Sequence, residues 1–276
     1  MNIRIVSDSS SNLLSVSDAS YATVPLKIIT QAREYVDNAA LDVASMIRDL
    51  RTVKGRTQTS CPNAFEWQEA FGDAECVFAV TITSGLSGSY DAACKAREDA
   101  LAAAPARRIC VVDSLSTGPE MQLLIEHLRD GILAGRSFEE LEASVKEYQK
   151  HTHLLFALES LANLARNGRV SPVVAKVAGL LGIRVVGVAS EQGTLQTLCK
   201  PRGEHKMLEA LYREMERGGY LGGKLRIAHC NNPTAAQAFA DTVRERYASA
   251  DIAIIPTTAL CSYYAEEGGL MVGFEG

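Results

Sequence analysis

Residues 81–93, TITSGLSGSYDAA, place Ser87 where an apolar run gives way to an Ala-rich stretch. A serine at such a junction can be a nucleophile, part of an anion cradle, or a helix cap. The nucleophile elbow requires G-x-S-x-G, so that a strained turn exposes the hydroxyl. Here the order is Gly85-Leu86-Ser87-Gly88-Ser89, with the second glycine one residue early, and no serine-hydrolase template fits. Serine is favoured at helix N-caps. A helix start rich in serine and glycine also offers N–H groups and a positive dipole end to an anion, so the last two readings are compatible.

A second hydroxyl cluster is TQTSCPN, residues 57–63, with Thr59-Ser60 ahead of Pro62, a good first-turn residue. Asp8-Ser9 and Asp113-Ser114 end two expected strands. Their carboxylates could hold Mg²⁺ for phosphoryl transfer, or close Asx turns. His151 and His153 could share a strand face and bind metal, but no carboxylate or cysteine stands nearby at ligand spacing. A solvated helix–strand junction fits them better, and His127, His205 and His229 form no visible dyad with Ser87. Neither a Walker motif nor G-x-G-x-x-G occurs.

These residues need elements to aim them. Strands are expected at 3–7, 23–29, 76–81 and 109–113, and helices at 41–51, 62–70, 89–103, 119–133 and 138–150. Strands separated by helix-length segments imply βαβ units and a largely parallel sheet, with ligands outside the carboxyl ends of its strands. From 151 the rhythm changes. A strand at 154–158, a short helix at 161–166 and an apolar, buried helix at 173–180 come first. Strands 183–189 and 194–199 then flank a turn at Gln192-Gly193, followed by helix 204–217, strand 224–229, helix 234–247 and strand 252–255. Hairpin pairing mixed with βα units implies a mixed sheet. The expectation is an N-terminal three-layer α/β/α domain over 1–150 and a C-terminal two-layer α/β domain over 151–276.

With 276 residues, 47% apolar, 22% charged and a net charge of −5, the chain reads as globular and lacks the basic stripe of a nucleic-acid binder. No apolar run approaches the ~20 residues of a membrane helix, and the N-terminus has no signal-peptide pattern. Seven scattered cysteines without a C-x-x-C pair read as reduced thiols of a cytoplasmic protein.

The ordered pieces IVSDSSSNL, ATVPLKI, YVDN, RTQTSCPN, TSGLSGSYDAACKA, VVDSLSTG, LARNGRVS and CKPRGEHK together resemble the DegV family of bacterial fatty-acid-binding proteins. Thr-Ser-x-Pro, Leu-Ser-Gly-x-Tyr and Gly-Arg-x-Ser carry most of the likeness. The resemblance implies a two-domain α/β fold that buries a long-chain fatty acid in a tunnel, with no cofactor and no metal. It places the carboxylate at Thr59, Ser60 and Ser87, with backbone N–H groups such as that of Gly88. It also implies presentation of the acid to a fatty acid kinase subunit for acyl-phosphate formation, with Arg202 at the docking surface, and transient contact with a membrane. Two departures stand out. The family's His-x-Gly-x-Gly segment reads YYAEEGGLMVGF, so Tyr264 stands near the histidine's place and Glu266 replaces a glycine. Its Ile-Lys-Pro reads Ile183-Arg184-Val185. On this reading Ser87 is an anion-binding helix start. The alternatives are a metal-dependent phosphatase or phosphotransferase using Asp8 and Asp113, and a binding protein for a polar ligand.

Overall fold

The computed structural model describes residues 2–173 and 182–276. In chain order the first half contains β1 (Ile3–Asp8), β2 (Ser20–Val24), β3 (Lys27–Ile29), β4 (Glu34–Val36), α1 (Val43–Thr52), β5 (Gln58–Ser60), α2 (Ala64–Phe71) and β6 (Cys76–Thr81). It continues with α3 (Ser89–Ala103), β7 (Arg108–Asp113), α4 (Pro119–Leu133) and α5 (Phe138–Tyr148). The second half contains β8 (Thr152–Leu158), α6 (Ala162–Arg166), β9 (Val185–Ala189), β10 (Leu195–Cys199), α7 (Glu204–Arg217) and β11 (Lys224–His229). Helix α8 (Pro233–Arg246), β12 (Asp251–Pro256), α9 (Ala259–Ala265) and β13 (Leu270–Glu275) complete it.

Strands β2-β1-β6-β7 form a parallel sheet. Every residue of β6 is buried, because helices cover both faces. Its side chains alternate between them. Val77 and Ala79 meet Trp67, Phe71, Ala93 and Ala96 of α2 and α3. Phe78 and Val80 meet Met121, Leu124, Phe138 and Leu141 of α4 and α5. This is the expected three-layer arrangement. The single strand expected at 23–29 is instead two. Pro25, which lacks an N–H, separates β2 in the parallel sheet from β3 in a small antiparallel sheet of order β4-β3-β5.

The second sheet has the order β10-β9-β8-β13-β11-β12 and is mixed, with β11 and β12 its parallel pair. The expected hairpin is present: Ser190 N–H donates to Thr194 O and Gly193 N–H to Ser190 O, both at 2.8 Å. One face of this sheet packs on Met207, Leu211, Phe239 and Val243 of α7 and α8. The other face meets α4, which therefore lies between the two sheets and is buried along most of its length. Gly273 permits that approach, since a Cβ there would come within 2.5 Å of the Pro119 carbonyl carbon. Of the buried helix expected at 173–180, all but Val173 lies outside the described residues, and Val173 is exposed.

Helix α9 and strand β13 have no counterpart among the expected elements. Strand β13 sits in the middle of its sheet although Gly268-Gly269 precede it and Gly273 interrupts it. Helix α9 docks on the first half of the chain. The Asp37 carboxylate accepts the N–H groups of Ala259 and Leu260 at 2.8 and 3.0 Å, so a residue more than 200 positions earlier caps it.

Candidate functional site

Thr59, Ser60, Ser87, Gly88 and Tyr264 all line one cavity of about 280 Å³. Three elements bring them there. The short strand β5 carries Thr59 and Ser60, the loop between β6 and α3 carries Ser87 and Gly88, and α9 carries Tyr264. Leu26, Ile82, Leu86 and Leu260 supply apolar wall.

The N-cap positions of the two following helices fall on other residues. The N-cap position of α3 is Gly88, with no side-chain cap bond; Ser87 Oγ accepts the Ser89 N–H at 3.3 Å from outside the helix. Helix α2 is capped by Asn63, which forms a capping box with Glu66, so Thr59 and Ser60 play no part there. Thr59 Oγ1 lies 2.7 Å from the Tyr264 hydroxyl. Ser60 Oγ donates to its neighbour's carbonyl, Cys61 O, at 3.2 Å. Burial pushes the Tyr264 phenol above its usual range, opposed by the Thr59 hydrogen bond and the Arg169 charge, so it is neutral at physiological pH.

Arg169, to which the sequence assigns no role, also lines the cavity. Its Nε donates to Leu86 O at 3.2 Å and its Nη1 to Asn167 O, which fixes a guanidinium beside the Ser87 loop. The Gly-Arg-x-Ser pattern was the signal available for it. Thr117, Cys61 and Cys261 also reach the cavity. Burial raises the Cys261 thiol to about 12, and its Sγ contacts Ser10 O at 3.3 Å.

Asp8 and Asp113 are occupied elsewhere. The buried Asp8 carboxylate accepts from Ser10 N and Oγ, Ile82 N and Ser89 Oγ, tying the ends of β1 and β6 to the start of α3. Burial raises its pKa and those donors oppose the rise. Asp113 accepts the N–H groups of Ser84 and Leu115, both at 3.1 Å, the second closing the expected Asx turn. No group of three or more His, Cys, Asp or Glu residues able to hold a metal occurs among the described residues. His151 pairs with Glu147 on the surface, and His153 packs against Phe274. Arg202 is not brought to the cavity. It is exposed just before α7, bridged to Ile183.

No helix among the described residues is long and apolar enough to cross a membrane. A crystal structure of the fatty acid kinase B3 protein of Streptococcus pneumoniae, described as loaded with linoleic acid, is 41% identical. It aligns over 100% of this chain and 99% of its own with a TM-score of 0.98. A protein of Eubacterium eligens loaded with heptadecanoic acid is 42% identical over 99% of both chains, with a TM-score of 0.97. A DegV domain-containing protein of S. pneumoniae is 43% identical over 258 residues, 94% of this chain and 92% of its own length. The family model for the uncharacterised proteins of the DegV group matches residues 2–275, and with that coverage and those identities the chain belongs to the DegV family.

Proposed function

We propose that the cavity takes a long-chain fatty acid, its carboxylate at Thr59, Ser87, Tyr264 and Arg169 and its chain between the units formed by residues 1–150 and 151–276. The observation that carries this reading is the convergence of those four polar groups with leucine and isoleucine side chains in one cavity. The fatty acids held by relatives more than 40% identical support it. Burying an acyl chain gains about 0.8 kcal/mol per methylene, on the order of 10 kcal/mol before losses. Each charge-assisted hydrogen bond to the head group adds roughly 1.5–3 kcal/mol. The chain thus dominates affinity, and the hydroxyls with the guanidinium select the end that enters. Organic extraction of purified protein and mass spectrometry test this. About one free fatty acid per chain is expected; no fatty acid above background, together with no binding of oleate or palmitate, refutes it.

The protein then works as a cytoplasmic carrier, not as an enzyme. A fatty acid kinase catalytic subunit phosphorylates the presented carboxylate, and Arg202 contributes to the docking surface. The relative named as a fatty acid kinase B3 protein supports this partner class. ATP-dependent acyl-phosphate formation should require both proteins, and Arg202→Ala should lose complex formation while retaining fatty acid. The metal-dependent reading has no observation in its favour, because the Asp8 and Asp113 carboxylates each serve backbone or hydroxyl donors.

A further inference from the structure

Beside the Thr59–Tyr264 pair lies a second threonine–tyrosine pair, its threonine two residues before Thr59 and its tyrosine next to Tyr264. Thr57 immediately precedes β5, and Tyr263 precedes Tyr264 on α9. Thr57 Oγ1 and the Tyr263 hydroxyl are 2.7 Å apart, and both residues are buried.

Outside donors reach both hydroxyls of this second pair. Asn167 Nδ2 donates to the Tyr263 hydroxyl at 2.8 Å and to Asn163 O at 2.9 Å. A carbonyl can only accept, so the amide must face this way round. The Arg166 guanidinium donates to Thr57 Oγ1 at 3.3 Å. Both hydroxyls therefore accept an outside donor, and a proton from one of them closes the pair. The Thr59–Tyr264 pair has no comparable donor among the described residues, so either hydroxyl there can turn its proton toward a ligand.

Asn167 also meets the other side of the cavity, since its backbone carbonyl accepts from Arg169, whose Nε holds Leu86 O. One residue thus meets both sides: its backbone carbonyl holds Arg169, and its side chain holds the tyrosine next to Tyr264. We propose that Asn167 is a positioning residue for the head-group site: its side chain sets, through Tyr263, the Thr59–Tyr264 pair where a carboxylate meets it, while its backbone carbonyl holds the Arg169 guanidinium. This rests on the fatty-acid reading above.

The test measures binding of oleate and of methyl oleate, which lacks the anionic head, to wild type, Asn167→Ala, Tyr263→Phe and the Asn167→Ala/Tyr263→Phe double variant. Wild type should prefer the acid. Asn167→Ala and Tyr263→Phe should weaken oleate binding about tenfold, the worth of one hydrogen bond, and change methyl oleate by less than about twofold. In the Tyr263→Phe background, Asn167→Ala should cost no more than about a further twofold, because the hydroxyl its side chain acts through is gone. Tyr263→Phe keeps the buried ring and probes the same link if Asn167→Ala fails to fold. Equal weakening of acid and ester, or an undiminished effect of Asn167→Ala in the Tyr263→Phe background, overturns the proposal and leaves Asn167 a fold-supporting residue. A wild type that does not distinguish acid from ester refutes the fatty-acid reading itself, before any variant is compared.

Discussion

Replacing Glu120 with glutamine should change how stability depends on pH. Glu120 is the second residue of α4, held between the two sheets and 5% exposed. Thr152 Oγ1 donates to its carboxylate at 2.9 Å. Burial raises its pKa from 4.5 to about 7. The cleft beside it also holds Lys146, Lys150, His153 and Glu191. A carboxyl whose pKa rises on folding binds more protons in the folded state, so stability falls as pH climbs from about 4.5 to about 7. At about 1.36 kcal/mol per decade of proton affinity, that window corresponds to roughly 3 kcal/mol. Glu120→Gln keeps the shape and removes the titration. Relative to wild type, the variant should therefore gain roughly 3 kcal/mol between pH 4 and pH 8, most of it between 4.5 and 7. His127, His153 and His229, whose pKa values burial lowers, slope the opposite way in both proteins and cancel in the difference. Urea unfolding at half-unit pH steps, followed by emission of the single tryptophan, fully buried Trp67, provides the assay. A difference between variant and wild type that stays constant across the range would refute the linkage.

Three other outcomes are expected. Ser87→Ala and Thr59→Val should each weaken oleate by about 1.5–3 kcal/mol and the methyl ester much less, whereas Ser60→Ala, whose hydroxyl already serves Cys61 O, should do less; calorimetry separates them. Fatty acid affinity should be nearly flat between about pH 6 and 8, because Tyr264 stays neutral there, and Tyr264→His should introduce tighter binding on the acidic side, where imidazole is protonated. Titration across that range checks this, and a wild-type affinity that drops steeply near pH 6.5 would assign the head group to another titrating residue. Glu266 has φ of 54° and accepts the Asn163 N–H at 3.0 Å. Glu266→Ala should be less stable than Glu266→Gly by about 1 kcal/mol, since both lose the acceptor and only glycine relieves the backbone; thermal melts with equal midpoints would contradict it.

Much of this molecule was legible in the sequence because its causes are local. Alternation of apolar runs with helix-length segments already specified the parallel sheet around β6, and Gln192-Gly193 the hairpin. The two hydroxyl clusters were visible as loops ahead of helices, although which residue capped each helix was not. Asn63 and Gly88 took those positions and left Thr59 and Ser87 facing the cavity. The elements without a sequence signature are those whose stability lies in their partners. Three-residue strands β4 and β5 pair only through β3, and the seven-residue α9 is capped by Asp37. Strand β13 carries Gly273 because α4 presses against it there. No local pattern encodes the meeting of Thr59 with Tyr264, 205 positions apart, or the placement of Arg169 beside the Ser87 loop. Residue type and period are properties of chain neighbours and can be read along the sequence. Convergence, burial and the proton affinity of a carboxyl such as Glu120 exist only once α4 is packed between the sheets and α9 has folded back onto the first half.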